Sequence, residues 1–278
     1  MKNFNFLTLS ALCFSIVFTT SCKNNNTESI TPETKTEISA STLAKIKSLG
    51  FSVDQARKVE GGYLVENDIL LTDANLTETS NSTNLNIAET EQYRTTNTVK
   101  SLPRIITVSV TNLPQVYSDA VNTMISRYNS LGLRITFQRA SGTAKGSIDV
   151  IGFNEGPSGG YITLGSAGFP TSSGNPYSQI KMNTNAAAYG TNPNLLYLAS
   201  VLQHEVGHCI GFRHTDYMNR AYSCGGAASN EGASNVGAVR IPGTPSTADA
   251  ESFMLACSNG GNRTFNSNDI IAVNYLYK

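Results

Sequence analysis

Apolar and polar positions divide the chain into stretches of different character. Residues 7–18 are an apolar run broken only by Thr8, Ser10 and Ser15, 22–42 are polar without period, and 43–71 regain a pattern. Residues 72–101 are polar again, and 102–278 are patterned throughout. In the first patterned stretch, LAKIKSLGFSVDQARKVEGGYLVENDILLT predicts a short helix, a second helix started by Ser52, and a strand ending in Ile69, Leu70 and Leu71. In the second, RIITVSVTN alternates as a strand does. YSDAVNTMISRYNSLG carries Val121, Met124, Ile125 and Tyr128 at helical spacing and ends at Gly132. Leu133 to Phe137 and Ser147 to Phe153 read as two further strands, and GGYITLGSAGF and YSQIKMNT as two more, separated by the turn-rich PTSSGNP. Asn192 and Pro193 suit an N-cap and first helical residue, opening a long helix over about 194–210. This order predicts an α/β domain: a mixed twisted sheet, one long helix, and a loop-rich C-terminal subdomain.

The apolar run follows Lys2 and precedes Thr19, Thr20, Ser21 and Cys22. At roughly 12 residues it is too short for a membrane-spanning helix, which needs ~20, and residues 1–21 read as a secretory signal. A Cys directly after a small residue at the end of such a signal resembles a bacterial lipoprotein lipobox, although Thr19 stands where an aliphatic residue is usual. The chain is therefore expected outside the cytoplasm, as an outer-membrane or cell-surface lipoprotein anchored through Cys22 or as a secreted protein. Residues 22–42 read as a tether, 43–71 as a small pro-like region, 72–101 as a linker and 102–278 as the main domain.

Charge removes some functions. Twenty basic and twenty acidic residues cancel, and no block of like charge forms a footprint for nucleic acid or an anionic membrane surface. Contact with a membrane is expected only through Cys22, and the chain is read as a monomer. Five cysteines are present. With Cys13 in the signal and Cys22 at its end, Cys209, Cys224 and Cys257 remain, an odd number for an oxidising compartment. Cys209 lies inside the long helix, so Cys224 and Cys257, in the loop-rich region after it, are the favoured disulfide.

All three histidines of the chain fall in HEVGHCIGFRH, residues 204–214. His204 and His208 lie four apart, about 40° from one another around a helix, so both can reach one ion. Glu205 is angled to approach a water beside that ion without itself binding it. Gly211 can take the left-handed conformation that ends the helix and turns the chain back. His214 can then return as a third ligand. Three imidazoles leave an open position on a catalytic zinc, whereas a structural zinc is closed by four protein ligands. One Zn2+ is the expected cofactor. Calcium is left open: no EF-hand-like run is present, and a site of loop carbonyls has no sequence signature.

HExxHxxGxxH is the metzincin zinc signature, and HEVGHCIGFRHTD most resembles the bacterial "dual-action" HEIGH metallopeptidases, with Val206 replacing the name-giving Ile. The similarity extends through IPGTP (241–245), SFM (252–254) and FNSNDIIAVNYLY (265–277). It implies a metzincin-like fold and a metalloendopeptidase acting on protein or peptide substrates, with metal-activated water as nucleophile and Glu205 as general base. It also implies a Met-turn at Met254 beneath the metal. Gly165, Ser166, Ala167, Gly168 and Phe169 would form the strand and rim that pair with an extended substrate. Astacin-type enzymes carry a Tyr two residues after the turn Met, where this chain has Ala256; Tyr217 and Tyr222 are near in sequence but unplaced. ENDI resembles the FEGDI stretch by which astacin-type pro-segments set an Asp on the metal, with Asn67 replacing Gly. That makes Asp68 a candidate latency ligand, against the plainer reading of a turn residue.

Two other readings compete. A thermolysin-like enzyme would use Glu231 as third ligand, but EGASNVG is Gly-broken and such a site leaves Gly211 and His214 without a purpose. A zinc-containing surface module without turnover would need the histidines but not Glu205.

Overall fold

In the computed structural model, residues 37–49, 51–77, 92–228, 230, 237–245 and 247–278 are described. The signal segment, Cys22 and Glu231 lie outside the described residues. Ser39 opens the first element by accepting the Thr42 N–H at 3.1 Å, and α1 (Ala40–Ser48) buries Ile46. The second helix expected from Ser52 is absent. The chain instead folds into an antiparallel meander of β1 (Arg57–Val59), β2 (Gly62–Val65) and β3 (Ile69–Leu71). Gly61 and Gly62 explain the difference: both have positive φ, and a side chain at Gly62 would lie 2.0 Å from Leu71 O, a turn that periodicity does not register. Leu49, Phe51, Val65, Ile69 and Leu71 form a small apolar core with Phe169.

After a short α2 (Asp73–Thr77), the next described stretch begins at Gln92 and carries β4 (Tyr93–Arg94). Residues 92–101, expected as linker, are packed into the domain: Gln92, Tyr93, Thr95 and Val99 are buried. Their backbone is paired, Thr95 N–H donating to Gly211 O at 2.8 Å and Arg213 N–H to Tyr93 O at 2.9 Å. A polar composition is compatible with burial once each polar group has a partner.

The next elements follow the expected order: β5 (Arg104–Thr111), α3 (Gln115–Asn129), β6 (Ile135–Arg139) and β7 (Ile148–Phe153). GGYITLGSAGF yields only the short β8 (Gly165–Ala167), followed by β9 (Gln179–Asn183) and the single turn α4 (Ala186–Tyr189). The long helix α5 (Leu195–Ile210) is capped not by Asn192 but by Asn194, whose side chain accepts the Tyr197 N–H at 3.0 Å. Then come α6 (Ala221–Cys224), β10 (Val239–Arg240), paired with β4, and α7 (Ser267–Tyr277).

The result is the predicted α/β class, a mixed eight-stranded sheet in the order β1-β2-β3-β8-β9-β7-β5-β6. Strands β9, β7, β5 and β6 run parallel, while β8 is antiparallel to β9. The main core joins the sheet to α3 and α5, which are tied by Tyr128 OH donating to Gln203 O at 2.9 Å. β3 lies parallel to β8, with Ile69 opposite Ala167, so the strand expected to be open for substrate is interior to the sheet. No described helix is long and apolar enough to cross a membrane.

Candidate metal centre and active site

Helix α5 sets His204 and His208 one turn apart, and Gly211 ends it at φ 110° in the left-handed region. Phe212 N–H closes the reversal on Gly207 O at 2.8 Å. The turn brings His214 back, so that His208 Nε2 lies 3.0 Å from His204 Nε2 and 3.2 Å from His214 Nε2. Asp68 completes the group from the β2–β3 tip, its Oδ2 3.0 Å from His214 Nε2 and 3.7 Å from His204 Nε2. One ligand atom from each of the four lies within 4.8 Å of all the others, and all four residues are buried.

The hydrogen bonds say what belongs between them. His204 Nδ1 faces Phe253 O at 2.9 Å and His208 Nδ1 faces Phe212 O at 3.0 Å. A carbonyl only accepts, so each Nδ1 carries the proton and each Nε2 of the neutral ring presents a lone pair. Two lone pairs 3.0 Å apart repel unless a cation sits between them. Asp68 Oδ1 is moreover buried with no hydrogen-bond partner. The donor set therefore fits a metal ion, with the outer nitrogens of His204 and His208 fixed by carbonyls as ligand histidines require.

Burial dominates the electrostatics. It pushes His208 well below the usual imidazole range, aided by the neighbouring His204 and His214, and so favours the neutral ligand form. Burial alone would raise the Asp68 carboxyl, but the surrounding imidazoles, His214 foremost, hold it well below the usual range. Glu205 moves the other way: burial and the nearby Asp68 raise it well above an ordinary carboxyl, opposed only by His214. Its carboxylate lies against the backbone of β8, where a side chain at Gly165 would come within 2.7 Å of Oε1.

The segment beneath the histidines is clamped from several sides. Thr215 N–H donates to Met254 O at 2.9 Å, and Asp216 Oδ1 accepts the Ala256 N–H at 2.9 Å. Asp269, in the capping box of α7, accepts Ser252 Oγ at 2.8 Å and the Phe253 N–H at 3.1 Å. These bonds hold Phe253 O against His204. Met254 is fully buried, and a side chain at Gly207 would meet its Sδ at 2.4 Å. Gly207→Ala, which in an ordinary helix gains about 1 kcal/mol, should instead destabilise the protein by about 1–3 kcal/mol through overpacking. Chemical denaturation of parent and variant measures this, and a more stable variant would show that helix and Met254 segment are not in register.

The tip that delivers Asp68 is itself anchored. Glu66 and Asn67 both have positive φ, 55° and 69°, so Asn67 occupies the left-handed conformation that a Gly would also supply. Glu66 Oε2 lies 3.9 Å from Arg213 Nη2, and Arg220 Nη1 donates to Glu66 O at 2.6 Å. Arg213 is fully buried, its guanidinium carbon 5.3 Å from the Phe51 ring centroid and 5.4 Å from that of Tyr217. Glu66, Arg213, Asp216, Arg220 and Asp269 are thus contributors that motif reading missed. Only the proximity of Arg213 and Asp216 to His214 offered a signal. Tyr217 packs edge-on against Tyr93, 4.4 Å between centroids, and Tyr222 is exposed. Cys224 and Cys257 form a disulfide, and Cys209 is buried and free. Phe169, beyond the end of β8, stands edge-on to His208 at 5.5 Å. Gly168 packs against the Tyr177 ring.

A family model described as the dual-action HEIGH metallo-peptidases matches residues 63–277, from β2 to the end of α7. The chain belongs to this family. This HEIGH chain is a metallopeptidase with Val206 at the name-giving position. A comparison with curated protein sequences gives no match. Among solved structures it is similar to myroilysin, at 15% identity and a TM-score of 0.41 over 65% of this chain and 96% of that one. A second myroilysin crystal structure gives 15% and 0.40 over 66% and 86%. High choriolytic enzyme 1, a hatching-enzyme zinc-protease of the medaka fish Oryzias latipes, gives 13% and 0.35 over 62% and 88%.

Proposed function

We propose that the chain is an exported zinc-dependent endopeptidase, latent while its N-terminal segment remains in place. The observation that carries this reading is the four-residue cluster, in which three histidines of one motif share a site with a carboxylate from residues 37–77. His204, His208 and His214 would hold Zn2+, and Asp68 would take the fourth position in the intact chain. Zinc, when bound, polarises a water and the scissile carbonyl.

The chain's own residues do the rest. With Asp68 withdrawn, Glu205 accepts a proton from the attacking water and hands it to the leaving amine. Its burial and raised proton affinity suit it to carry that proton between the two steps. The outer edge of β8 would bind an extended peptide: Ala167 N–H, which now donates to Asp68 O at 3.0 Å, becomes free for a substrate carbonyl. Met254 would act as the turn supporting the ligands. Removal of the N-terminal segment would occur in the polar stretch from residue 72 up to Gln92. Residues 1–21 would direct export and Cys22 would carry the lipid anchor. A metal-holding module without turnover would have no use for Glu205, and His214, which lies in the cluster, would take the ligand position that Glu231 would fill in a thermolysin-like site.

The deciding measurement is turnover of a reduced, denatured protein by the matured enzyme. Cleavage should stop with a chelator and return with Zn2+. Zinc-loaded protein freed of its N-terminal segment that cleaves nothing would leave the binding-module reading standing.

A further inference from the structure

A cavity of about 90 Å³ opens beside the metal cluster. His204 and Glu205 form one side of it, and Val201, Phe253 and Leu255 give it an apolar wall. Two arginines, Arg220 and Arg263, are also among the lining residues. Its two carboxylates are Asp68, which belongs to the N-terminal hairpin, and Glu205, committed to the proton.

Arg263 is held in position. Its N–H donates to Ser200 Oγ at 3.0 Å, and Ser200 Oγ donates back to Arg263 O at 3.0 Å, one helical turn before His204. Its side chain is weakly engaged: Nη1 reaches Cys257 O at 3.5 Å, and Nε is buried without a hydrogen-bond partner. Among the described residues no carboxylate lies within ion-pair distance of it. Of the acids that act on it from further away, Glu251, the strongest, is exposed to solvent, and Asp216 and Asp269 each have both oxygens occupied by other donors. Arg220 donates to Glu66 O, on the same hairpin as Asp68. Withdrawal of the hairpin thus removes one carboxylate from the cavity and one acceptor from its second cation.

Which substrate residue faces this cavity follows from Glu205. The group that returns the proton must stand beside the leaving amine, and that amine belongs to the residue immediately after the scissile bond. Resting on the peptidase reading, we infer that this pocket receives the side chain of that residue and that Arg263, with Arg220, selects an acidic one. A carboxylate there would pair with the loosely held guanidinium of Arg263, whose Nη1 reaches Cys257 O at 3.5 Å, and replace Glu66 O on Arg220, both as charge-assisted hydrogen bonds.

The test uses full-length protein matured by cleavage ahead of Gln92, zinc-loaded, on peptides that differ only after the scissile bond: Asp, Glu, Asn, Ala or Lys. Asp or Glu should exceed Ala in kcat/KM by about tenfold or more, the discrimination expected of a charged hydrogen bond, with Lys poorest. Arg263→Gln should bring the acid-to-Ala ratio toward one, and Arg263→Lys should retain part of it. Equal cleavage of acidic and Ala peptides by the parent, or an unchanged ratio in Arg263→Gln, overturns the inference while leaving the peptidase intact. Absence of cleavage in every peptide defeats the peptidase reading and the inference together.

Discussion

Glu205→Gln is expected to lower peptide hydrolysis by about 10²- to 10⁴-fold, the range associated with loss of a positioned general base, while metal content and fold stay near those of the parent. The amide keeps the shape of the carboxylate packed against Gly165. It cannot accept a proton from water. The substitution also removes a charge from a fully buried site, so stability should not fall. His214→Ala is the contrasting control, because it deletes a ligand and should release the metal. Metal analysis beside kcat/KM for the two variants separates the roles. A Glu205→Gln enzyme that turns over at the parent rate would take Glu205 out of the mechanism, and a His214→Ala protein that retains its metal would undo the three-histidine site.

Asp68→Ala in a chain protected from cleavage should be active at once, where the intact parent is nearly silent. A gain of at least about tenfold is expected, corresponding to loss of ~1.4 kcal/mol of latent-state contact. The gain should be largest for a short reporter peptide, because β3 still lies along β8 in the variant and restricts longer chains. Equal rates for the two uncleaved proteins would reduce Asp68 to a turn residue and leave the metal site as it stands.

The legibility of the sequence followed the range of the interactions involved. Residues 204–214 could be read almost completely, because helical spacing and a left-handed glycine are local properties and the observed α5 and Gly211 realise them. The Cys224–Cys257 pair could be narrowed by eliminating Cys209. Asp68 could be flagged through a short resemblance, yet its approach to His214 depends on a hairpin that Gly61 and Gly62 create and periodicity misreads as a helix. The position of β8 inside the sheet was invisible, since nothing within GSA announces that a strand nearly a hundred residues earlier will lie beside it. Residues 92–101 were misassigned for a related reason. Their polar groups are satisfied by distant partners, Gly211 and Asp269 among them. Arg213 looked like a motif spacer, and only the tertiary fold surrounds it with Phe51, Glu66 and Tyr217.

The parallel pairing of β3 with β8 has a kinetic meaning. If substrate lies antiparallel on that edge, as proposed, it and the N-terminal strand would compete for one place. In the proposed latent form the competitor would be tethered, at an effective concentration on the order of millimolar, and substrates at ordinary levels would not displace it. A single cut between the hairpin and Gln92 breaks no contact in the cleft. It would convert a unimolecular rebinding into a bimolecular one, so the freed segment, diluted into the surroundings, would be lost by mass action.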